Sequence, residues 1–227
     1  MIKVSVTPEL ACNYIEGEQE QLLVVREAQL LNTAGYDVLL HNGFRRSGDD
    51  VYRPHCPNCQ ACQSLRINVS QFKPSKSQKR LLNRNKDLRV ICSEQPRESY
   101  YPLYESYINT LHSDGAMYPA TPEQYQGFIV SNWLSPVFIE IYQQDTLIAV
   151  AVTDKLDSSF SAMYCFYHPE YPQRSLGTFA ILKQLELAKQ WHKQWLYLGF
   201  QIDACNKMNY KANFHPHQRF IAENWCS

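Results

Sequence analysis

No stretch of this chain approaches the roughly 20 consecutive apolar residues that a membrane-crossing helix needs. The opening residues, Met1-Ile-Lys-Val-Ser-Val, hold no apolar run of signal-peptide length either, so a cytoplasmic protein with no membrane role is expected. Absent too are a Gly-Lys-Thr phosphate loop, a Gly-x-Ser-x-Gly elbow and an HExxH pair, which argues against nucleotide hydrolysis, serine-hydrolase chemistry and zinc proteolysis. There is no internal repeat and no low-complexity tract, and the prolines are scattered as local punctuation. Cys226 stands one residue from the end, where a prenylation signal needs it four from the end. Net charge is also lacking: 22 Lys and Arg balance 22 Asp and Glu.

What the chain does have is unevenly placed. The segment from Lys73 to Arg89 carries seven bases against one acid, Asp87, for a net charge of +6. Cations at that density repel one another until an anionic partner relieves them, so the segment reads as a surface for phosphates as well as a merely solvated helix face. Arg45, Arg46, Arg53 and Arg66 extend the same positive character, and Tyr36, Tyr52 and Phe72 could serve equally as core or as platforms for unpaired bases. Just before the basic segment comes the loop His55-Cys56-Pro-Asn-Cys59-Gln-Ala-Cys62. Thiolates and imidazole are preferred ligands of zinc and iron–sulfur clusters, but a closed site needs four ligands and a second CxxC is missing. Cys12 is the one earlier cysteine, so a metal on Cys12, Cys56, Cys59 and Cys62 and a set of free thiols both stay open.

With 44% hydrophobic and 13% aromatic residues, the 227-residue chain has ample material for a core and an α+β pattern to build it. The first half, residues 1–95, reads as an α+β domain bearing the cysteines: a helix over Thr33–His41 closed by Gly43, strands at Asp50–Tyr52, Leu65–Val69 and Leu88–Cys92, and a helix over Ser75–Lys86. The second half, 96–227, opens with two helices, one over Ser99–His112 and one entered through Thr121-Pro-Glu-Gln124. Strands over Val137–Tyr142, Leu147–Lys155 and Phe160–Tyr167 then form an antiparallel meander, followed by a helix over Leu176–Trp191 and a strand at Trp195–Leu198. That order matches the layout of N-acyltransferase folds, a mostly antiparallel sheet flanked by helices, with the acyl donor near the helix start at Gly177 and Thr178. The alternate rings of Tyr164-Cys-Phe166-Tyr167 are candidates to line a pocket at the strand ends. Asn206 to Phe214 reads as a short amphipathic helix with Lys207 and Lys211 as solvated charges.

Taken in order, Gly43-Phe-Arg-Arg-Ser-Gly48, Tyr52-Arg-Pro-His-Cys56, Cys59-Gln-Ala-Cys62, Phe72-Lys-Pro-Ser-Lys-Ser-Gln-Lys-Arg80, Arg84-Asn85, Tyr197-Leu-Gly-Phe200 and Lys207-Met-Asn-Tyr-Lys-Ala-Asn-Phe214 closely resemble the aminoacyl-tRNA–protein transferases, in their short bacterial form. The resemblance covers essentially the whole chain. It implies a cysteine-bearing N-terminal domain joined to an acyltransferase-like (GNAT-like) domain. It also implies a cytoplasmic enzyme of the N-degron pathway that moves leucine from leucyl-tRNA onto the N-terminal amine of proteins beginning with Asp or Glu, marking them for degradation. Its partners would be leucyl-tRNA and those proteins, with no DNA. One departure concerns the metal: related eukaryotic arginyl-transferases carry CxxC near the N-terminus and a Cys-Cys pair later, whereas here Cys12-Asn-Tyr-Ile15 and His55-Cys56 stand in those places.

An aminoacyl ester is already activated, and an α-amine with a reference pKa of about 7.7–8.0 is partly nucleophilic near neutrality, so no cofactor is required. On the resemblance, Lys73, Lys76, Gln78, Lys79, Arg80 and Arg84 would hold the tRNA. Arg45, Arg46 or Arg53 would fork onto the acceptor's carboxylate, in a pocket framed by Tyr52, Tyr164 and Phe166. Lys207, Tyr210 and Lys211, with Tyr197, would lie near the terminal adenosine or the reacting ester. Two rivals from other classes are a non-enzymatic RNA-binding protein with a structural metal and a small-molecule N-acyltransferase with a thioester donor.

Overall fold

The computed structural model describes residues 2–227. Four short strands, β1 (Val4–Val6), β2 (Leu10–Ala11), β3 (Gln19–Glu20) and β4 (Leu22–Val25), lead to helix α1 (Thr33–His41). Next come β5 (Arg45–Ser47), β6 (Asp50–Pro54), β7 (Gln63–Asn68), α2 (Lys76–Arg84) and β8 (Arg89–Ser93). The remainder runs α3 (Tyr100–Leu111), α4 (Pro122–Ile129), β9 (Val137–Gln143), β10 (Thr146–Lys155), β11 (Ser159–Tyr167), α5 (Leu176–Gln190), β12 (Trp195–Gln201), β13 (His217–Ile221) and β14 (Asn224–Cys226).

Helix starts follow local chemistry. The Asn32 side chain accepts from the Gly35 amide at the head of α1, and Ser75 and Gln78 form a reciprocal capping box on α2. Thr121 caps α4, with Pro122 in the first turn where its missing N–H costs nothing. Arg45–Ser47, to which the sequence analysis assigned no element, pairs with β6 as a hairpin strand. One expected element changed form. Asn206–Phe214 is not an amphipathic α-helix; it contains a single tight 3-10 segment, Asn209–Asn213.

Eight strands form the main sheet in the order β14-β13-β7-β12-β11-β10-β9-β8, all antiparallel except the β11–β12 pair. A second sheet has the order β1-β4-β6-β5. Residue 95 falls between β8 and α3, yet β7 and β8 hydrogen-bond into the sheet built by the second half. Central β10 shows strand alternation at work. Ala149 and Ala151 face the core under α5 with Phe179, Leu182 and Leu185, while Val150 and Val152 face the tyrosine-rich core under α3 and α4. Each fully buried large side chain in these layers contributes about 1.5–3 kcal/mol through its removal from water. A third core joins α1 and the small sheet to the end of the large one through Tyr36, Leu39, Val51, Leu156 and Tyr197.

One ion pair locks the small sheet onto the large one. Arg46 on β5 and Asp154 on β10 are wholly buried, with Nη2 at 2.5 Å and Nε at 3.0 Å from the carboxylate. The remaining Arg46 donor reaches the Gly48 and Ile129 carbonyls, so its hydrogen bonds are spent inside the protein. Arg46 therefore has no group left for an acceptor's carboxylate, contrary to the sequence-based expectation. Arg46→Ala strands Asp154 as an unpaired buried charge, and chemical unfolding is expected to show a loss of about 3–5 kcal/mol.

Candidate active site at the parting of two strands

β11 and β12 pair only over Ser159–Ser161 and Trp195–Tyr197; beyond that point they separate, β11 continuing along β10 and β12 along β7. Register shifts flank the parting on both sides. On β11 the extra residue is Met163, between the pairs made by Ala162 and Tyr164, and on β12 it is Leu198, between those of Tyr197 and Gly199. A bulged strand leaves backbone groups without a ladder partner, and here the Met163 carbonyl accepts from Arg45 Nη2 at 3.1 Å.

Arg45 fills the parting. Its Cζ lies 5.5 Å from the centroid of the Phe200 ring, and a Cβ at residue 199 would sit 2.9 Å from its Nη1. Gly199 also has φ +75°, so both the bulge and the guanidinium demand glycine within Tyr197-Leu-Gly-Phe200. The gap left around Arg45, Ser64, Ser161 and Gly199 measures about 10 Å³. Arg45 differs from its neighbours in one respect. Arg46 is paired with Asp154 and Arg53 with Glu223, but Arg45 has no carboxylate partner among the described residues, and its buried Nε has no hydrogen-bond partner at all. Tyr52, Tyr14, Tyr36 and the Asp154 carboxylate lie in its electrostatic field; Tyr14, within Cys12-Asn-Tyr-Ile15, was not among the residues singled out in the sequence.

The C-terminal motif splits. Lys211 is buried, its Nζ donating to the Phe200 carbonyl at 2.5 Å and lying 3.6 Å from Met208 Sδ, so it is not the solvated charge expected from spacing. Burial, with the Arg45 charge second, pulls its ammonium down to about 7, a shift only partly offset by Cys205 and Cys62. Lys207 is exposed and pairs with both oxygens of Asp114 at 2.7 Å. Tyr210 is partly exposed, and burial, with Cys165 and Tyr167 beside it, raises its phenol above the ordinary range. Tyr197 borders the gap, but its ring packs on Trp225 and its hydroxyl faces Arg66, away from Lys211. Tyr164 contacts Phe128 and Met117 on the α3–α4 side and also lies in the field of Tyr14, beside Arg45, whereas Phe166 is fully buried on that side and does not frame Arg45. Cys165 packs against the core under α5, and Tyr167 borders both that core and the tyrosine-rich one, its ring 4.8 Å from that of Tyr107 on α3. Gly177 lies against Tyr167, its Cβ position 3.4 Å from that ring, which places the start of α5, with Thr178, beside these residues.

The basic face adjoins this site. Lys73, Lys76, Lys79, Arg80 and Arg84 are exposed on and before α2. Gln78 is not among them: it is buried, closes the capping box and donates to the Asn213 carbonyl at 3.3 Å. Phe72 packs on Phe214 at 6.2 Å between ring centroids. At its other end, α2 is tied to the loop before α5 by Arg84 to the Gln173 carbonyl, Asn85 to the Arg174 carbonyl and Arg174 to Asp87. The segment's single acid is thereby neutralised, and its cations border both the C-terminal motif and the start of α5.

The cysteine loop borders a cavity of about 310 Å³ next to Phe200. Cys62 lies in the field of Cys12, Cys56 and Cys59, and burial first, then those thiols, pushes it up to about 12, so it is a neutral thiol. The Cys56 thiol faces the Gln21 carbonyl at 3.8 Å, and the Cys12 sulfur accepts from the Tyr14 amide at 3.4 Å. Among the described residues no group of three His, Cys, Asp or Glu side chains is placed closely enough to hold a metal ion.

The Lys211 shift has a definite sign. A lysine whose folded value is about 7, against about 10.4 in the unfolded chain, opposes folding below that window and ceases to do so as pH rises through it. Between pH 7 and 10 the stability of the unmodified chain is therefore expected to rise relative to Lys211→Met, by on the order of a few kcal/mol, in paired urea titrations.

Comparison with known proteins agrees with this arrangement. Residues 10–80 match the family described as arginine-tRNA-protein transferase, N terminus, and residues 99–221 match its C terminus. An aspartate/glutamate leucyltransferase of Pseudoalteromonas atlantica is 53% identical over 224 residues, covering 99% of this chain and 96% of the relative. One from Aeromonas salmonicida is 52% identical over 99% of this chain and 94% of its own length, and one from Shewanella oneidensis 46% identical over the same shares. With both halves matched and about half of all positions shared along nearly the full length, the chain belongs to the arginine-tRNA–protein transferase family, a family of aminoacyltransferases.

Proposed function

We propose that the chain transfers leucine from leucyl-tRNA to the N-terminal α-amine of polypeptides beginning with Asp or Glu. The observation that carries the acceptor half is Arg45, a half-buried guanidinium that makes no ion pair and whose Nε has no hydrogen-bond partner. Arg45 feels the Asp154 carboxylate only at a distance, through space, and an acidic side chain in direct contact supplies the ion pair it lacks, with charge-assisted hydrogen bonds worth about 1.5–3 kcal/mol. Arg45 is partly accessible, whereas Arg46 is sealed and Arg53 is already paired. The donor half rests on the exposed cations of α2, which border the start of α5 and the C-terminal motif. No helix among the described residues is long and apolar enough to cross a membrane.

The chemistry follows from this placement. The acceptor amine attacks the ester carbonyl, a C–N bond forms, the C–O bond to the terminal ribose breaks and tRNA leaves as the alcohol, with the proton lost by the amine balancing the oxygen. Alignment of the two substrates can supply roughly 7–11 kcal/mol, more than a typical acid–base residue provides. Lys211, poised near neutrality behind the Phe200 carbonyl, adds positive charge beside the developing oxyanion when protonated. The product displays leucine where an acid stood, the change expected to mark it for degradation in the cytoplasm.

Purified chain, leucyl-tRNA labelled in its leucine, and peptides headed by Asp, Glu or Asn test this directly: Asp and Glu peptides are labelled and Asn peptides are not. Arg45→Ala is expected to lower kcat/KM for Asp peptides about 10–100-fold and collapse the Asp-over-Asn preference while leaving tRNA affinity intact. Replacing Lys73, Lys76, Lys79 and Arg80 together by alanine weakens tRNA binding and its salt dependence instead. Equal loss of tRNA binding in the Arg45 variant, with the preference kept, refutes the assignment.

A further inference from the structure

The reaction needs room for more than the first residue of its acceptor: a polypeptide held by its acidic head must leave the site along some path. The cavity of about 310 Å³ opens beside that head. Phe200 lines it and also lies against Arg45; Ser64 lines both it and the gap around Arg45; Cys62 lines it and lies in the field of Tyr14 and Lys211. Its inner wall is therefore the outer wall of the Arg45 site.

The lining narrows the occupant. Apart from His55 at the rim, the formal charges on its walls are Arg53 and Glu223, which pair with each other at 2.9 Å, so the cavity offers no free cation for a phosphate. Gln60, Gln63 and Ser64 put amides and a hydroxyl on the walls between the cysteine thiols, Phe200 and Phe220, a mixture that suits peptide groups rather than a purely aliphatic side chain. We propose that this cavity receives the acceptor polypeptide immediately after its first residue, with the Arg53–Glu223 pair facing the second side chain. The proposal rests on the transfer reaction assigned above and adds the path of the acceptor chain.

Gln60 is exposed at the cavity's edge, so Gln60→Trp narrows the opening without disturbing the core. The experiment compares leucyl transfer to aspartic acid amide, which ends at the first residue, and to a tetrapeptide, Asp followed by three alanines. Gln60→Trp is expected to lower kcat/KM for the tetrapeptide about tenfold while leaving the amide and leucyl-tRNA binding within about twofold. Glu223→Ala, which frees Arg53, is expected to raise kcat/KM up to about fivefold for a peptide with Glu in second place relative to one with Ala there. Equal losses for amide and tetrapeptide assign the cavity to the donor and overturn the proposal, as does no change in either measurement. Failure of the unmodified chain to use leucyl-tRNA with any Asp-headed acceptor is a different result, and it removes the transfer reading itself.

Discussion

Two adjacent arginines leave β5 on opposite sides, as strand geometry requires, and only one of them meets a carboxylate. Arg46 goes to Asp154 and joins the small sheet to the large one; Arg45 goes into the parting of β11 and β12 and meets a bulge carbonyl, an aromatic ring and a glycine. The first arrangement is complete and the second is not. Because the buried pair fixes β5 against β10, it also sets where the incomplete guanidinium stands, so structural and chemical roles are divided between neighbours in sequence.

The same division recurs in the C-terminal motif and in the basic segment. Lys207 is held at the surface by Asp114, while Lys211, four residues on, is drawn inside to the Phe200 carbonyl. Within the basic segment, Gln78 and Phe72 turn inward to Asn213 and Phe214, and the lysines around them stay in solvent. These inward contacts bring a cationic face alongside the motif that borders the strand parting. On the proposed reading, a charged nucleic acid held on α2 has its reactive end close to a half-buried cation suited to an acid-headed chain.

Much of the secondary structure was legible because it rests on local signals. The meander β9–β10–β11, the caps of α2 and α4, and the length of α5 follow from alternation, capping chemistry and helical spacing. The short strands β1 to β4 gave no such signal, since each is only two to four residues long, and β1 and β4 are ordered by pairing with one another and, for β4, with β6. The C-terminal segment misled for a related reason: lysines at i and i+4 look alike in sequence whether they face water or a carbonyl 11 residues away. Phe166 was drawn toward the site by its ring, but the Met163 bulge sets the side it faces, and that insertion has no mark in the sequence.

The residue types and their order were enough to establish an aminoacyl-tRNA–protein transferase resemblance, a concentrated positive segment and a glycine at position 199 between Tyr197 and Phe200. They were not enough to choose among Arg45, Arg46 and Arg53, because all three are equally basic on paper. That choice depends on which guanidinium finds a carboxylate, and Asp154 and Glu223 lie more than 100 residues away in the chain. Charge is carried by the residue, but its neutralisation is a property of contacts between distant segments, and only the packed sheets bring those together.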